Sequence, residues 1–154
     1  MIHGPSGQRT VAVRDLQTGP FGTVLEAAEL LVEIRLPIRP GAGSAYTKVE
    51  RRAGDYAVAA AGAIVWLDGD TVSEVGIGLA AVGAPHSVAT ATEDAIRGRA
   101  ADEATIEVAG EQASAECNPF SDQRGPADYK RALVGELVKR SLRTAIARAR
   151  GQEA

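Results

Sequence analysis

The chain has 154 residues, 45% of them hydrophobic, and a net charge of −3, so it is long enough for one domain, or one domain and part of another, to bury a core. The acidic balance argues against a general nucleic-acid-binding protein, because no excess of Lys and Arg exists to displace counterions from phosphates. The sequence has no apolar run near the roughly 20 residues of a membrane span and no hydrophobic signal segment at the N-terminus, so it predicts a cytoplasmic protein. Its single cysteine, Cys117, predicts that no internal disulfide forms.

The first quarter of the chain contains weak strand signals separated by turns. Residues 1–9 are rich in Gly and polar side chains and predict a loop, whereas the weak alternation at 11–16 indicates a short strand. Turn residues fill 18–22. Residues 29–36 alternate in their second half and predict a strand that ends at Pro37.

The middle of the chain predicts an antiparallel meander. After a loop at 40–44, residues 46–52 alternate as a strand would, and 56–67 form a long apolar run that favours a buried strand. Asp68-Gly69-Asp70 is typical of a tight type I′ hairpin turn. Residues 71–82 are then the returning strand.

The last part of the chain predicts helices. The first covers residues 92–99, and the second covers 102–116 with an interruption at Gly110. The third begins near Pro126 and runs to about residue 148, with apolar residues on one face and cations, among them Lys130, largely on the other. Strands followed by helices predict an α+β fold: an antiparallel β-meander followed by a three-helix layer.

The residues alone indicate no self-contained active site. His3 and His86 are far apart and lack the regular spacing of metal ligands. The chain has no Gly-x-Ser-x-Gly elbow and no Gly-rich loop of the kinds that hold phosphates. Cys117 has no neighbouring cation in the sequence and is interpreted as a structural thiol.

The sequence KVERRAGDY, residues 48–56, differs from an ordinary strand end. It combines three cations, two carboxylates and an aromatic residue, Tyr56, around a glycine kink. Cations and a carboxylate can bind polar groups of a ligand, and an aromatic ring can cover a planar one. The alternative is a solvated charge cluster, which is what charge runs usually form.

Three segments resemble one protein family. Residues 43–61, GSAYTKVERRAGDYAVAAA, closely resemble the flavoprotein (medium) subunit of molybdenum hydroxylases, the carbon monoxide dehydrogenase and xanthine dehydrogenase family. Residues 122–131, DQRGPADYKR, are similar to the lead into that family's last helix, with Pro126 and Asp128 where the family has Ser and Glu. Residues 19–37 look like the end of its FAD-binding domain.

The resemblance implies a domain organisation and a cofactor. Residues 1–40 would be a remnant of the end of the FAD-binding domain, 41–150 the carbon monoxide dehydrogenase flavoprotein C-terminal domain with its sandwich fold, and 151–154 a tail. The cofactor would be FAD. The two Gly-rich loops that hold the FAD pyrophosphate in the family are not in this sequence, so FAD is expected to be absent from the chain alone if those loops are essential.

The resemblance also assigns site residues. Asp55 and Tyr56 would lie at the flavin ring, and Leu31 would pack on it. Lys48 and Arg51 match the cationic positions of the same loop. No residue is assigned to proton transfer, so the set of catalytic residues is empty.

The implied function is to cap the flavin isoalloxazine and to help pass electrons from iron–sulfur clusters to FAD. The partners would be a molybdenum-cofactor large subunit and an iron–sulfur small subunit, and the chain would be inactive alone. One alternative is a truncated homologue that acts as an interaction or homodimerisation module without FAD. Another is a split flavoprotein, in which a separate chain supplies the missing FAD-binding half.

Overall fold

The structure is a computed structural model that describes residues 1–19, 22–83 and 88–152. The chain divides into two compact units, Met1–Arg39 and Pro40–Ala154. Part of the predicted turn at 18–22, and the whole of the segment that contains His86, lie outside the described residues. Among the described residues, no helix combines the length and the apolar character needed to cross a membrane.

The first unit consists of short elements. They are β1 (Ile2–Gly4), β2 (Gly7–Arg9), α1 (Val13–Leu16), β3 (Gln17–Gly19), β4 (Gly22–Thr23) and β5 (Leu30–Leu31). One sheet has the order β2-β1-β5, and β3 pairs with β4. The guanidinium of Arg9 lies 2.7 Å from the carboxylate of Glu29 and ties the sheet to the segment before β5.

Three predictions for this unit are wrong. Residues 1–9 form a hairpin instead of a loop, and residues 13–16 are helical instead of extended. The predicted strand at 29–36 is limited to Leu30–Leu31, which pair with β1. Alternation stabilises a strand only where a neighbouring strand accepts its backbone hydrogen bonds. The Val32 N–H still donates to the Met1 carbonyl at 3.1 Å and the Met1 amino group donates to the Glu33 carbonyl at 2.8 Å, whereas residues 34–39 lie in no strand and Leu36 is 82% exposed.

The second unit contains a three-stranded antiparallel sheet with the order β6-β7-β8, made of β6 (Ala42–Val49), β7 (Ala59–Asp68) and β8 (Thr71–Ala80). The two long predicted strands are confirmed. The predicted loop at 40–44 is wrong, because Ala42 to Ser44 pair with the end of β7. The hairpin turn has a positive φ of 57° at Gly69 but not at Asp70, which is the pattern of type II′ instead of the predicted type I′.

Three helices cover one face of this sheet: α2 (Thr90–Ile96), α3 (Glu103–Glu116) and α4 (Ala127–Ala149). The predicted interruption at Gly110 is wrong, because α3 is continuous. A Cβ at Gly110 would lie 2.7 Å from Cγ of Lys139 on α4, so the glycine serves close helix packing. Asp102 caps α3 by accepting a 2.9 Å bond from the Thr105 N–H, and this bond lowers the pKa of Asp102.

The core lies between the sheet and the helices and confirms the α+β class. It is built from small and β-branched side chains of the sheet packed against apolar residues of α3 and α4. Polar atoms in this layer are paired: the Thr47 and Ser141 hydroxyls are 2.7 Å apart, and the Ser141 hydroxyl donates to the Ala61 carbonyl at 3.0 Å. These bonds fix the register of α4 on the sheet. They thereby also fix where the loop before α4 lies.

Candidate functional site

The loop between β6 and β7 carries three of the predicted site residues, Arg51, Asp55 and Tyr56. The Val58 N–H donates to the Val49 carbonyl at 2.8 Å and closes the loop at its base. Gly54 has a φ of +79°, a conformation that side chains with a Cβ rarely adopt. The Asp55 N–H then donates to the Arg52 carbonyl at 3.0 Å. This turn places Asp55 and Tyr56 side by side at the end of the loop.

The loop before α4 is held by a buried ion pair. The Lys130 ammonium is only 2% exposed and lies 2.8 Å from Asp122 Oδ2. It also donates to the Phe120 carbonyl at 3.1 Å and lies 5.2 Å from the Phe120 ring centroid. The prediction that Lys130 belongs to the polar face of α4 is therefore wrong. The pattern of the helix alone could not show that the preceding loop folds back and supplies a carboxylate.

Asp122 orders the turn that follows it. Its Oδ1 accepts a 2.7 Å bond from the Arg124 N–H. The backbones of Asp122 and Gly125 exchange two hydrogen bonds of 3.1 Å each. The position of Arg124 is therefore set by Lys130 through Asp122.

The two loops meet at Arg124. Its Nη2 lies 3.8 Å from Asp55 Oδ1, and its Cζ lies 5.7 Å from the centre of the Tyr56 ring. Arg51 also joins the loops, since its Nη1 donates to the Gln123 carbonyl at 3.4 Å. Fold and register thus bring together two sequence segments, 48–56 and 122–125, that are more than 60 residues apart.

The meeting point holds two buried polar atoms that have no hydrogen-bond partner among the described residues. These atoms are Asp55 Oδ2 and Arg124 Nε. The other oxygen of Asp55 accepts a 2.8 Å bond from the Tyr56 N–H. Leaving such atoms unpaired costs about 1–3 kcal/mol each. Beside them the Tyr56 residue is 81% exposed. An acceptor, a donor and an open aromatic face together suit a planar ligand with polar edges.

Lys48 supports the loop from β6. Its ammonium pairs with the Glu50 carboxylate and donates to the Asp55 carbonyl at 3.2 Å. The hydrogen bond that it donates to Glu50 raises the pKa of Lys48, so the lysine stays charged across the neutral range. Leu31, the remaining predicted residue, lies in β5 of the first unit and is 44% exposed.

Sequence reasoning did not single out Arg124 as a site residue. It lies in the segment DQRGPADYKR that carries the family resemblance. The signal that could have indicated Arg124 is the position of a cation directly before the start of a helix. Among the described residues, no group of three or more metal-ligand side chains lies together. Cys117 is buried, and burial raises the pKa of its thiol, which agrees with a structural thiol.

Acid is expected to loosen the loop before α4. The Lys130 ammonium, and next the Arg124 N–H, lower the pKa of Asp122. A lowered pKa stabilises the fold above the usual carboxyl value of about 4, and this stabilisation is lost as the pH falls through the lower folded-state value. Thermal melts from pH 7 downward should therefore show a smaller acid-induced loss of stability for Asp122→Asn than for the wild type. Asp128→Asn, which removes a nearby carboxylate that forms no ion pair with the described residues, should match the wild type.

Comparisons with known proteins converge on one family. The family described as CO dehydrogenase flavoprotein C-terminal domain matches residues 44–145. The carbon monoxide dehydrogenase medium chain of Hydrogenophaga pseudoflava is 38% identical over 149 residues, which cover 96% of this chain and 52% of that one. The xanthine dehydrogenase FAD-binding subunit of Escherichia coli O157:H7 is 28% identical and is matched over 98% of this chain and 53% of its own length.

A solved structure shows the same architecture. The carbon monoxide dehydrogenase of Hydrogenophaga pseudoflava that lacks the Mo-pyranopterin moiety of the molybdenum cofactor superposes with a TM-score of 0.91 at 42% identity. The match covers 96% of this chain and 52% of that chain. The chain therefore spans about half the length of the relatives that it matches.

Proposed function

The chain belongs to the CO dehydrogenase flavoprotein C-terminal domain family, and from this premise we propose that it is the C-terminal part of the FAD-binding medium subunit of a molybdenum hydroxylase. In this proposal residues 1–40 are the end of the FAD-binding domain, 41–150 the C-terminal domain and 151–154 a tail. Its task is to cap the isoalloxazine ring of FAD.

One observation carries the proposal: the exposed ring of Tyr56 lies next to the buried, unpartnered Asp55 Oδ2. The isoalloxazine is a planar ring with a ring N–H between two carbonyl groups. Tyr56 can cover its face, and Asp55 Oδ2 can accept a hydrogen bond from the N–H. The residues present therefore fit the cofactor.

The other predicted residues have supporting roles in this proposal. The Lys48 ammonium holds the Asp55 carbonyl, and Arg51 joins the loop to Gln123, so both cations stabilise the rim of the pocket. FAD supplies the redox chemistry when bound. The side chains orient the ring, exclude water from it and tune its electrostatic environment.

The proposal includes partners. A small subunit with iron–sulfur clusters would deliver electrons, and a large subunit with the molybdenum cofactor would oxidise the substrate. No side chain at this site needs to transfer a proton in that scheme. The chain by itself is expected to have no dehydrogenase activity.

A titration with FAD tests the proposal. The full chain is titrated with FAD and with lumiflavin, which contains the ring without the phosphates, and binding is followed by flavin fluorescence and calorimetry. Loss of the Tyr56 contact should weaken binding about two- to tenfold in Tyr56→Ala, because an aromatic contact contributes about 0.5–1.5 kcal/mol. Tyr46→Ala removes another exposed tyrosine, on β6, and should bind like the wild type. Equal affinities of the two variants would contradict the proposal.

A second candidate is an interaction module without FAD. The exposed apolar side chains Tyr46, Phe120 and Tyr129 favour it, because such residues are common in interfaces. This function predicts no binding of lumiflavin together with a dimer mass in light scattering. A monomer that binds lumiflavin would exclude it.

A further inference from the structure

We propose that Arg124 is a second recognition residue of the ring pocket, the hydrogen-bond donor that acts beside the Asp55 acceptor, and that it also sets the orientation of Tyr56. This inference rests on the proposed function and deepens it. It predicts that the ligand presents to the pocket an edge on which a carbonyl group stands next to an N–H group. Nothing in the spacing or periodicity of the sequence marks this pairing.

The first support is the position of the guanidinium. It lies against both residues of the other loop, 3.8 Å from Asp55 Oδ1 and 5.7 Å from the centre of the Tyr56 ring. The side chain is 25% exposed, so it is largely desolvated. A cation in contact with one face of an aromatic ring stabilises it by roughly 0.5–2 kcal/mol. Arg124 therefore limits the orientations that Tyr56 can adopt.

The second support is the pair of unmatched atoms. Arg124 Nε is a buried donor and Asp55 Oδ2 a buried acceptor, and neither has a hydrogen-bond partner among the described residues. The two side chains already contact each other, yet through other atoms, Nη2 and Oδ1. A ligand that presents an acceptor and a donor on adjacent atoms would satisfy both. A flavin ring has this edge in its carbonyl and ring N–H.

The third support is that the arginine is held in place before any ligand binds. Its backbone N–H donates to Asp122, which is paired with the buried Lys130, and its guanidinium lies against Asp55 and Tyr56. A recognition group that is ordered in advance loses little entropy on binding. The planar fork of an arginine can contact Tyr56 and still offer Nε, whereas a lysine ammonium cannot replace that geometry.

The charge of Arg124 has a consequence for redox chemistry. A guanidinium beside a ring carbonyl stabilises the electron-rich reduced ring more than the oxidised ring. Arg124 should therefore raise the reduction potential of a bound flavin. A residue that only holds the loop together would change the affinity for both forms equally and leave the potential unchanged.

The experiment uses the full chain and lumiflavin. The wild type, Arg124→Gln, Arg124→Lys and the control Arg52→Gln are titrated by fluorescence, and the reduction potential of lumiflavin bound at saturation is measured by dye equilibration. Arg52 is in the same loop as Asp55, and its side chain forms no ion pair with the described residues. Circular dichroism checks that each variant is folded.

We expect Arg124→Gln to bind oxidised lumiflavin about 10- to 100-fold more weakly, the range for a hydrogen bond that involves a charged group, and to lower the potential. Arg124→Lys, which keeps the positive charge, should have a reduction potential between those of Arg124→Gln and the wild type, but should bind as weakly as Arg124→Gln. Arg52→Gln should bind lumiflavin with an affinity within about twofold of the wild type. An Arg124→Gln variant with unchanged affinity, or with weaker binding at an unchanged potential, would overturn the role of Arg124 and leave the proposed function intact. A folded wild type that binds no lumiflavin would overturn both.

Discussion

Gly43→Ala is expected to lower the free energy of unfolding by about 3 kcal/mol or more, because the added methyl group has no space. A Cβ at Gly43 would lie 1.9 Å from the Ala145 carbonyl oxygen and 2.3 Å from the Ala149 backbone nitrogen. Both atoms belong to the backbone of α4, which cannot rotate away as a side chain can. The helix would have to leave β6, and the paired hydroxyls of Thr47 and Ser141 would separate.

Urea denaturation followed by circular dichroism measures this loss. Gly62→Ala is the matched control on the adjacent strand, because a Cβ there meets nothing closer than 3.6 Å, at Cδ2 of Tyr46. The free energy of unfolding of that control should stay within about 1 kcal/mol of the wild-type value. A Gly43→Ala variant as stable as Gly62→Ala would show that α4 does not pack on β6 as closely as described.

Lys130→Met is expected to destabilise the chain by roughly 3 kcal/mol and to weaken lumiflavin binding. The substitution removes the ion pair with Asp122, the hydrogen bond to the Phe120 carbonyl and the contact with the Phe120 ring. Breaking a buried pair costs about 3–5 kcal/mol. The lower end applies here, because the Asp122 side chain is 26% exposed and water can hydrate it.

The effect on binding follows from the chain of contacts. Without Lys130, Asp122 no longer fixes the turn that holds Arg124. The unfolding free energy is measured with urea, and lumiflavin affinity with fluorescence at a temperature where the variant is folded. Arg140→Met replaces an exposed cation of the same helix and should change neither quantity by more than about 0.5 kcal/mol. A Lys130→Met variant with the unfolding free energy and the lumiflavin affinity of the wild type would show that the buried pair does not order the loop.

Long elements were predictable because their patterns are strong. The apolar run of β7 and the alternation of β8 need no distant partner to be recognised, and the apolar stripe of α4 repeats over six turns. Residues 32–36 show how such an argument fails. Their alternation is as regular as that of β8, but the backbone bonds that Val32 and Glu33 form with Met1 do not continue along the segment among the described residues.

The role of a glycine also depended on tertiary structure. Gly110 was predicted to interrupt a helix because glycine is a weak helix former. In the structure it allows the close approach of α3 and α4. A sequence shows that a residue lacks a side chain, whereas only packing shows which neighbour requires that absence.

The sequence by itself determined the α+β class, the order of the main strands and helices, and the family, because periodicity and contiguous motifs are local properties of the chain. It also indicated Asp55 and Tyr56 as candidate residues, since both lie within one motif. The tertiary structure alone decided that Arg124 lies beside them and that Lys130 is buried under the loop. The Arg124 contacts join residues about 70 positions apart, and the Lys130 contacts require the loop before α4 to fold back onto the helix. The geometry of both is set by how α4 packs on the sheet, through Gly43, Thr47 and Ser141, which no local pattern encodes.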